Sequence, residues 1–411
     1  MGTRIVRYVQ PPAKPEDRRI CPRGPKAGPW NRLVCPVVWL LLAVAAGAQT
    51  PQWTPAAATE WYAEQPWMVG ANYIPAYAVN QLEMWQGETF DAVRIDLELG
   101  WAENLGMTTV RVFLHDLVWK QDPRGFRKRI DKFLSVAEKH KIRPVLVLLD
   151  SCWNPFPEVG IQPVPRPGVH NSGWVQSPGA RVLKDKAQYD RVLAYVQDVI
   201  LAFSTDKRIL AWDLWNEPDN TNSPESYGKS EPVNKVELVR NLLPKVFQYA
   251  RAGIPTQPLT SGLWQGDWSS PDKLSPVEKI QVELSDVISF HSYDPPEEFE
   301  KRVRWLQQYN RPILCTEYMA RPRNSTLEGI LPIAKKYKVA AINWGLVAGK
   351  TQTWFPWDSW QKAYTDRQPT MWFHDILYGN GKPYSEEETE FLRSITGHSN
   401  GKPVAVSRGK Q

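Results

Sequence analysis

Two glutamates stand out by their context. Glu217 ends the run Trp212-Asp213-Leu214-Trp215-Asn216-Glu217-Pro218, and Glu317 falls in Leu314-Cys315-Thr316-Glu317-Tyr318, one hundred residues later. Each follows an apolar stretch, so each carboxyl stands where a strand gives way to a loop. Two carboxyl groups brought together can divide the work of catalysis: one holds a proton to give away, while the other stays anionic to attack or to stabilise a positive centre. Asn-Glu-Pro alone is a weak signal, because three residues recur by chance. Its weight depends on the elements that carry the two groups.

Those elements alternate without a break. Apolar runs suited to strands cover Trp67–Tyr73, Thr108–His115, Arg143–Asp150, Ile209–Asn216, Pro258–Trp264, Asp286–Tyr293, Pro312–Tyr318 and Val339–Leu346. Most are continuous rather than alternating, as expected of parallel strands buried on both faces. Between them lie amphipathic patterns. Phe126, Ile130, Phe133, Leu134 and Ala137 make one helical stripe, and similar stripes recur near 94–105, 187–203, 234–252, 275–284, 297–309, 326–337 and 384–395. Eight such units predict an α/β fold, a (β/α)8 TIM barrel in a single domain with long βα loops. Functional residues of such barrels gather at the C-terminal ends of the strands. Here those ends carry Asn72, Tyr73, His115, Asp116, Asp150, Asn216, Glu217, Trp264, His291, Tyr293, Glu317, Tyr318 and Trp344.

A glutamate ending strand four and another ending strand seven of such a barrel resemble the clan A glycoside hydrolases, the family 5-like cellulases and mannanases. The resemblance spans nearly the whole chain after residue 48. It implies a retaining β-glycoside hydrolase, with Glu217 as general acid/base and Glu317 as nucleophile. By the same resemblance Tyr293 donates to the nucleophile, Asn216 meets the sugar 2-hydroxyl, and Arg111 pairs with Glu317. His291 matches a rim histidine and Trp344 a platform under the sugar at the cleavage point. Asn72, His115, Trp174 and Trp264 complete the expected binding and supporting positions. One departure is plain: family 5 members commonly place a histidine two residues after the aspartate ending strand three, and this chain reads Asp150-Ser151-Cys152-Trp153. His115 and His170 are the candidates to replace it.

The loops add aromatics. Ser151–Lys186 is rich in Pro, Gly and Trp, and the loop after strand eight carries Trp354, Phe355, Trp357 and Trp360. Aromatic faces suit the apolar faces of pyranose rings. They also suit nucleobases, although single-stranded nucleic acid would require a basic groove. No H-x-x-H pair, nucleophile elbow or Walker loop occurs, so neither metal nor cofactor is expected. The sequence leaves open glucan, mannan or xylan as substrate, internal or terminal attack, and a barrel that binds sugar without turnover.

Charge completes the reading. The chain of 411 residues carries a formal net charge of +6, which hints at an anionic partner. Residues 1–33 are basic, Val34–Ala46 form a short apolar core, and Ala46-Gly47-Ala48 is a small-x-small exit, so residues 1–48 read as a signal peptide or N-terminal leader. Those 48 residues hold eight basic and two acidic side chains, and without them 42 of each sign remain. The hint of nucleic acid disappears with the leader. The expectation is an exported monomer acting on a neutral β-linked glycan, without stable membrane insertion after processing. Residues 49–62 are expected as a spacer and 63–400 as the catalytic domain. Cys152 and Cys315, all that remain of four cysteines, are expected as small buried hydrophobes.

Overall fold

The computed structural model describes residues 50–399 and 402–403; the expected leader lies outside the described residues. Eight strands, β1 (Val69–Asn72), β2 (Thr109–Phe113), β3 (Val145–Asp150), β4 (Ala211–Asn216), β5 (Leu259–Thr260), β6 (Ile288–His291), β7 (Ile313–Glu317) and β8 (Ala340–Trp344), form one sheet in the order β5-β4-β3-β2-β1-β8-β7-β6. Every pairing is parallel. A bridge between Leu263 and Phe290 joins the two outer strands, with Leu263 N donating to Ser289 O at 3.0 Å and His291 N to Leu263 O at 2.8 Å. The result is a nearly closed (β/α)8 barrel, the predicted fold.

The strands read as unbroken apolar runs because helices cover the outer face while side chains fill the interior; all six residues of β3 are buried. The helix Pro123–Lys139 buries Phe126, Ile130, Phe133, Leu134 and Ala137, the predicted stripe. Expected strand five is shorter than its apolar run. After Thr260 side chains replace the ladder: Ser261 N donates to Ser285 Oγ at 3.3 Å, and Ser261 Oγ donates to Trp215 O at 2.9 Å.

The expected spacer is also structured. Residues Pro55–Ala63 form a helix whose N-cap, Thr54, accepts from Ala57 N with Pro in the first turn. Trp61 and Tyr62 pack against Met68, Val145, Leu210, Val287, Leu314 and Ile342 at the N-terminal end of the barrel. Trp53 N donates to Asp286 Oδ1 at 2.8 Å and Tyr62 OH to Lys338 O at 2.8 Å, which fixes this segment as the barrel's floor. Among the described residues no helix is long and apolar enough to cross a membrane.

Candidate active site

The C-terminal ends of the strands surround a cleft of about 710 Å3, a size suited to small-molecule recognition. Glu217 follows the last residue of β4 in a left-handed backbone conformation, φ 42°, that few residues other than glycine adopt. Such local strain is held by the surrounding structure and recurs at functional positions. Glu317 ends β7. A donor oxygen of each carboxylate and a ring nitrogen of His291 lie within 4.8 Å of one another. His291 stands between the two, with Nδ1 2.9 Å from Glu217 Oε1 and Nε2 3.5 Å from Glu317 Oε1.

Arg111 organises the floor beneath them. It is fully buried, and Nη1 donates to Glu317 Oε1 at 2.7 Å and to Asn72 Oδ1 at 2.9 Å. Nη2 donates to Asp213 Oδ2 at 2.8 Å and to Asn216 Oδ1 at 2.7 Å. A buried guanidinium so fully bonded is a fixed positive charge beside one carboxylate. Tyr293 OH donates to Glu317 Oε2 at 2.7 Å. Glu217 Oε2 instead accepts from Asn220 Nδ2 at 2.6 Å and from the Cys152 thiol at 3.2 Å.

These contacts separate the two carboxyls electrostatically. Burial pushes both pKa values up; Glu317 is pulled back by Arg111 and Tyr293, and Glu217 by Asn220 and Cys152. With a guanidinium at 2.7 Å, Glu317 is the more readily ionised of the two, and Glu217, without such a partner, is the one better suited to hold a proton. Burial pushes the His291 imidazole down to about 4, so it is neutral between the two. Burial raises the Tyr293 phenol and the Cys152 thiol well above their ordinary ranges, which keeps both as hydrogen donors. Glu217, His291 and Glu317 are spaced as metal ligands would be, but Arg111 already supplies the positive charge there.

The predicted residues fall into two groups. Asn216, Glu217, Trp264, His291, Tyr293, Glu317 and Trp344 line the cleft together. Trp264 spans its rim, its indole donating to Asp219 Oδ1 at 2.7 Å. Arg111 and Asn72 lie beneath; Asn72 Nδ2 donates to Thr316 O at 2.7 Å and holds β1 to β7. Two of the expected binding or supporting positions stand outside the cleft. Trp174 is 2% exposed and does not reach the cleft: its ring packs edge-on behind Trp344 at 5.9 Å, and its indole donates to Asp150 Oδ2 at 2.6 Å. His115 is fully buried and caps the helix Asp116–Gln121, accepting from Leu117 N at 3.1 Å. Of the two histidines proposed to replace the missing one, His170 lines the cleft.

Cys315 is buried as expected, but Cys152 is not an inert hydrophobe, since it touches the acid/base candidate. Asn220 and Asp213 were also missed. A signal existed for each: Asn220 follows Glu217 by three residues in the same turn, and Asp213 is a charge inside an apolar strand, which demands a buried partner. Trp357 and Trp360 join the cleft, whereas Trp354 and Phe355 pack on each other at 4.9 Å within the loop.

Residues 103–363 match the cellulase family, glycosyl hydrolase family 5. No curated protein matches the sequence. Among solved structures, GH5_18 from Streptomyces cattleya in complex with Manβ1-4GlcNAc superposes with a TM-score of 0.55 at 13% identity, over 82% of this chain and 82% of its own. The exo-β-1,4-mannosidase Op5Man5 from Opitutaceae bacterium strain TAV5 gives 0.53 at 18% identity, over 85% of this chain and 62% of its own. The β-mannanase of the blue mussel Mytilus edulis gives 0.53 at 13% identity, over 82% and 93%. At such identities the likeness is one of fold.

Proposed function

The chain belongs to glycosyl hydrolase family 5, the cellulase family, and from that premise we propose a retaining β-glycoside hydrolase in which Glu317 is the nucleophile and Glu217 the acid/base. Glu317 attacks the anomeric carbon while Glu217 passes its proton to the departing glycosidic oxygen. The C–O bond breaks and a glycosyl ester to Glu317 forms. Glu217, now a carboxylate, takes a proton from water, whose oxygen displaces Glu317 and releases the sugar with its anomeric configuration kept. Tyr293 and Arg111 hold the nucleophile ionised and aimed, and His291 orients the carboxyl of Glu217.

One observation carries this reading: two carboxyls with donor oxygens within 4.8 Å, one tied to a guanidinium and the other not. An inverting enzyme needs about 6.5–9.5 Å between its carboxyl groups to admit a water. The cleft's Trp264, Trp344 and Trp357 support a neutral β-linked glycan, with β-1,4-glucan or β-1,4-mannan first and xylan next. The basic and apolar leader supports export.

The test is hydrolysis of β-glucans, mannans and xylans, with NMR of the first-formed anomer. Retention is expected, with turnover lost in Glu317→Gln and cut about 10²–10⁴-fold in Glu217→Gln. First-formed product of inverted configuration, or either variant keeping most of the wild-type rate, rejects the assignment. A barrel that only binds sugar would show no hydrolysis at all.

A further inference from the structure

The cleft is closed along one side. The loop after β3, residues 151–179, lies over the ends of β2 and β1: Ser177 Oγ donates to Asp116 Oδ1 at 2.7 Å, and Asn80 Nδ2 donates to Gly173 O at 2.8 Å. The loop after β8, residues 345–377, meets it there. Asn171 N donates to Thr351 O at 2.8 Å, Gly168 N to Gln352 Oε1 at 2.9 Å, and His170 N to Ser359 Oγ at 2.9 Å. The start of the loop after β4 is drawn in, with Trp153 N donating to Asn222 Oδ1 at 2.9 Å and Asn222 Nδ2 donating to Trp153 O at 3.0 Å. Trp153 of one loop stacks on Trp360 of another, centroids 5.2 Å apart and planes 9° from parallel, and Tyr227 packs edge-on against Trp360 at 5.4 Å. A wall thus runs from β8 across β1, β2 and β3 to β4.

Exposure around the cleft follows the same division. On the wall, His170, Asn171 and His374 are 2%, 0% and 0% exposed. On the loops after β4, β5 and β7, Thr221, Gln265 and Arg323 line or flank the same cleft and face solvent. The solvent-facing lining of the cleft is therefore on the β4–β7 side.

We infer that the enzyme removes single sugars from the non-reducing end of its chain. This rests on the roles proposed for Glu217, Glu317 and Trp344. The sugar attacked at its anomeric carbon sits over Trp344, at the end of β8 and against the wall. The leaving chain departs on the Glu217 side, toward Trp264 on the open rim. A further sugar on the 4-oxygen of the attacked unit would have to pass through the Trp153–Trp360 stack. Only a unit with that hydroxyl free fits. Each turnover consumes one water and turns a chain of n sugars into one of n − 1 and a free monosaccharide.

The experiment uses the full chain on β-1,4-gluco- and manno-oligosaccharides of three to six units carrying a fluorescent tag at the reducing end, sampled before a tenth is consumed. The expected result is untagged monosaccharide together with a tagged series shortened by one unit at a time. For the matching polysaccharide, viscosity should fall far more slowly, per bond cleaved, than with an internally cutting enzyme. Tagged products of mixed length from the first samples, or untagged disaccharide as first product, overturn the terminal mode and leave the glycosidase reading intact. Cleavage of no substrate overturns both.

Discussion

Burial of Glu217 among Cys152, Asn220 and His291 suits the proton transfer proposed for it and comes at the expense of stability. Its carboxyl is pushed up in the folded chain, so the folded state binds that proton more tightly than the unfolded state does. The folded protein therefore gains from this group below about pH 4, and the gain is lost as pH rises through the folded pKa. Glu217→Gln has no proton to lose. Its melting temperature should exceed that of the wild type at pH 7 by a few degrees, with the difference shrinking toward pH 4, as calorimetry would show; a less stable variant at pH 7 contradicts the burial argument. The thiol of Cys152 donates to Glu217 Oε2 at 3.2 Å, a bond that favours the ionised carboxyl. Replacing it by alanine removes a donor that favours ionisation, so the basic limb of the kcat/KM profile should move to higher pH, while Cys152→Ser should leave it nearer the wild-type position. An unmoved limb in Cys152→Ala would show that the contact does not tune the acid. Glu217 and Glu317 were legible in the sequence because each ends an apolar strand, and Arg111 and Tyr293 because the family pattern marks them. Cys152 was misjudged because its partner lies 65 residues away, and thiol chemistry is decided by neighbours rather than by residue type.

The elements divide in the same way. Strands of a parallel barrel are written as continuous apolar runs, so all eight were visible, and β5 was overestimated only where Ser261 replaces ladder bonds with side-chain bonds. The helix Pro55–Ala63 was read as spacer because small residues give it no apolar stripe; Ala58 is its one fully buried residue. The latch between the loops after β3 and β8 could not be read at all, since it consists of backbone and side-chain bonds between segments some 180 residues apart. Gly168 is one of its close approaches. Its φ of 70° suits glycine, and a Cβ there would stand 2.5 Å from the Tyr364 carbonyl. Gly168→Ala should cost about 1 kcal/mol or more and loosen the wall. Circular dichroism should show the barrel kept, while the product mixture from tagged oligosaccharides gains longer untagged pieces. An unchanged mixture together with unchanged stability would mean that the latch does not hold the wall.

At the scale of the molecule, the chain beyond residue 48 carries 42 positive and 42 negative side chains, and its proposed ligand carries no charge. Raising salt from 0.05 to 0.5 M should change kcat/KM on a neutral oligosaccharide by less than about twofold. A steep decline would point to an anionic substrate. The one-sided cleft also sets the order in which the parts of the substrate can leave. The freed monosaccharide lies innermost, between Trp344 and the wall, and the shortened chain lies between it and the open rim. The chain must depart before the monosaccharide can, so it cannot slide forward for a second cut without leaving the protein. Such an enzyme is distributive rather than processive, and the simple sugar it releases, the last to leave, competes with incoming chain ends for the same seat.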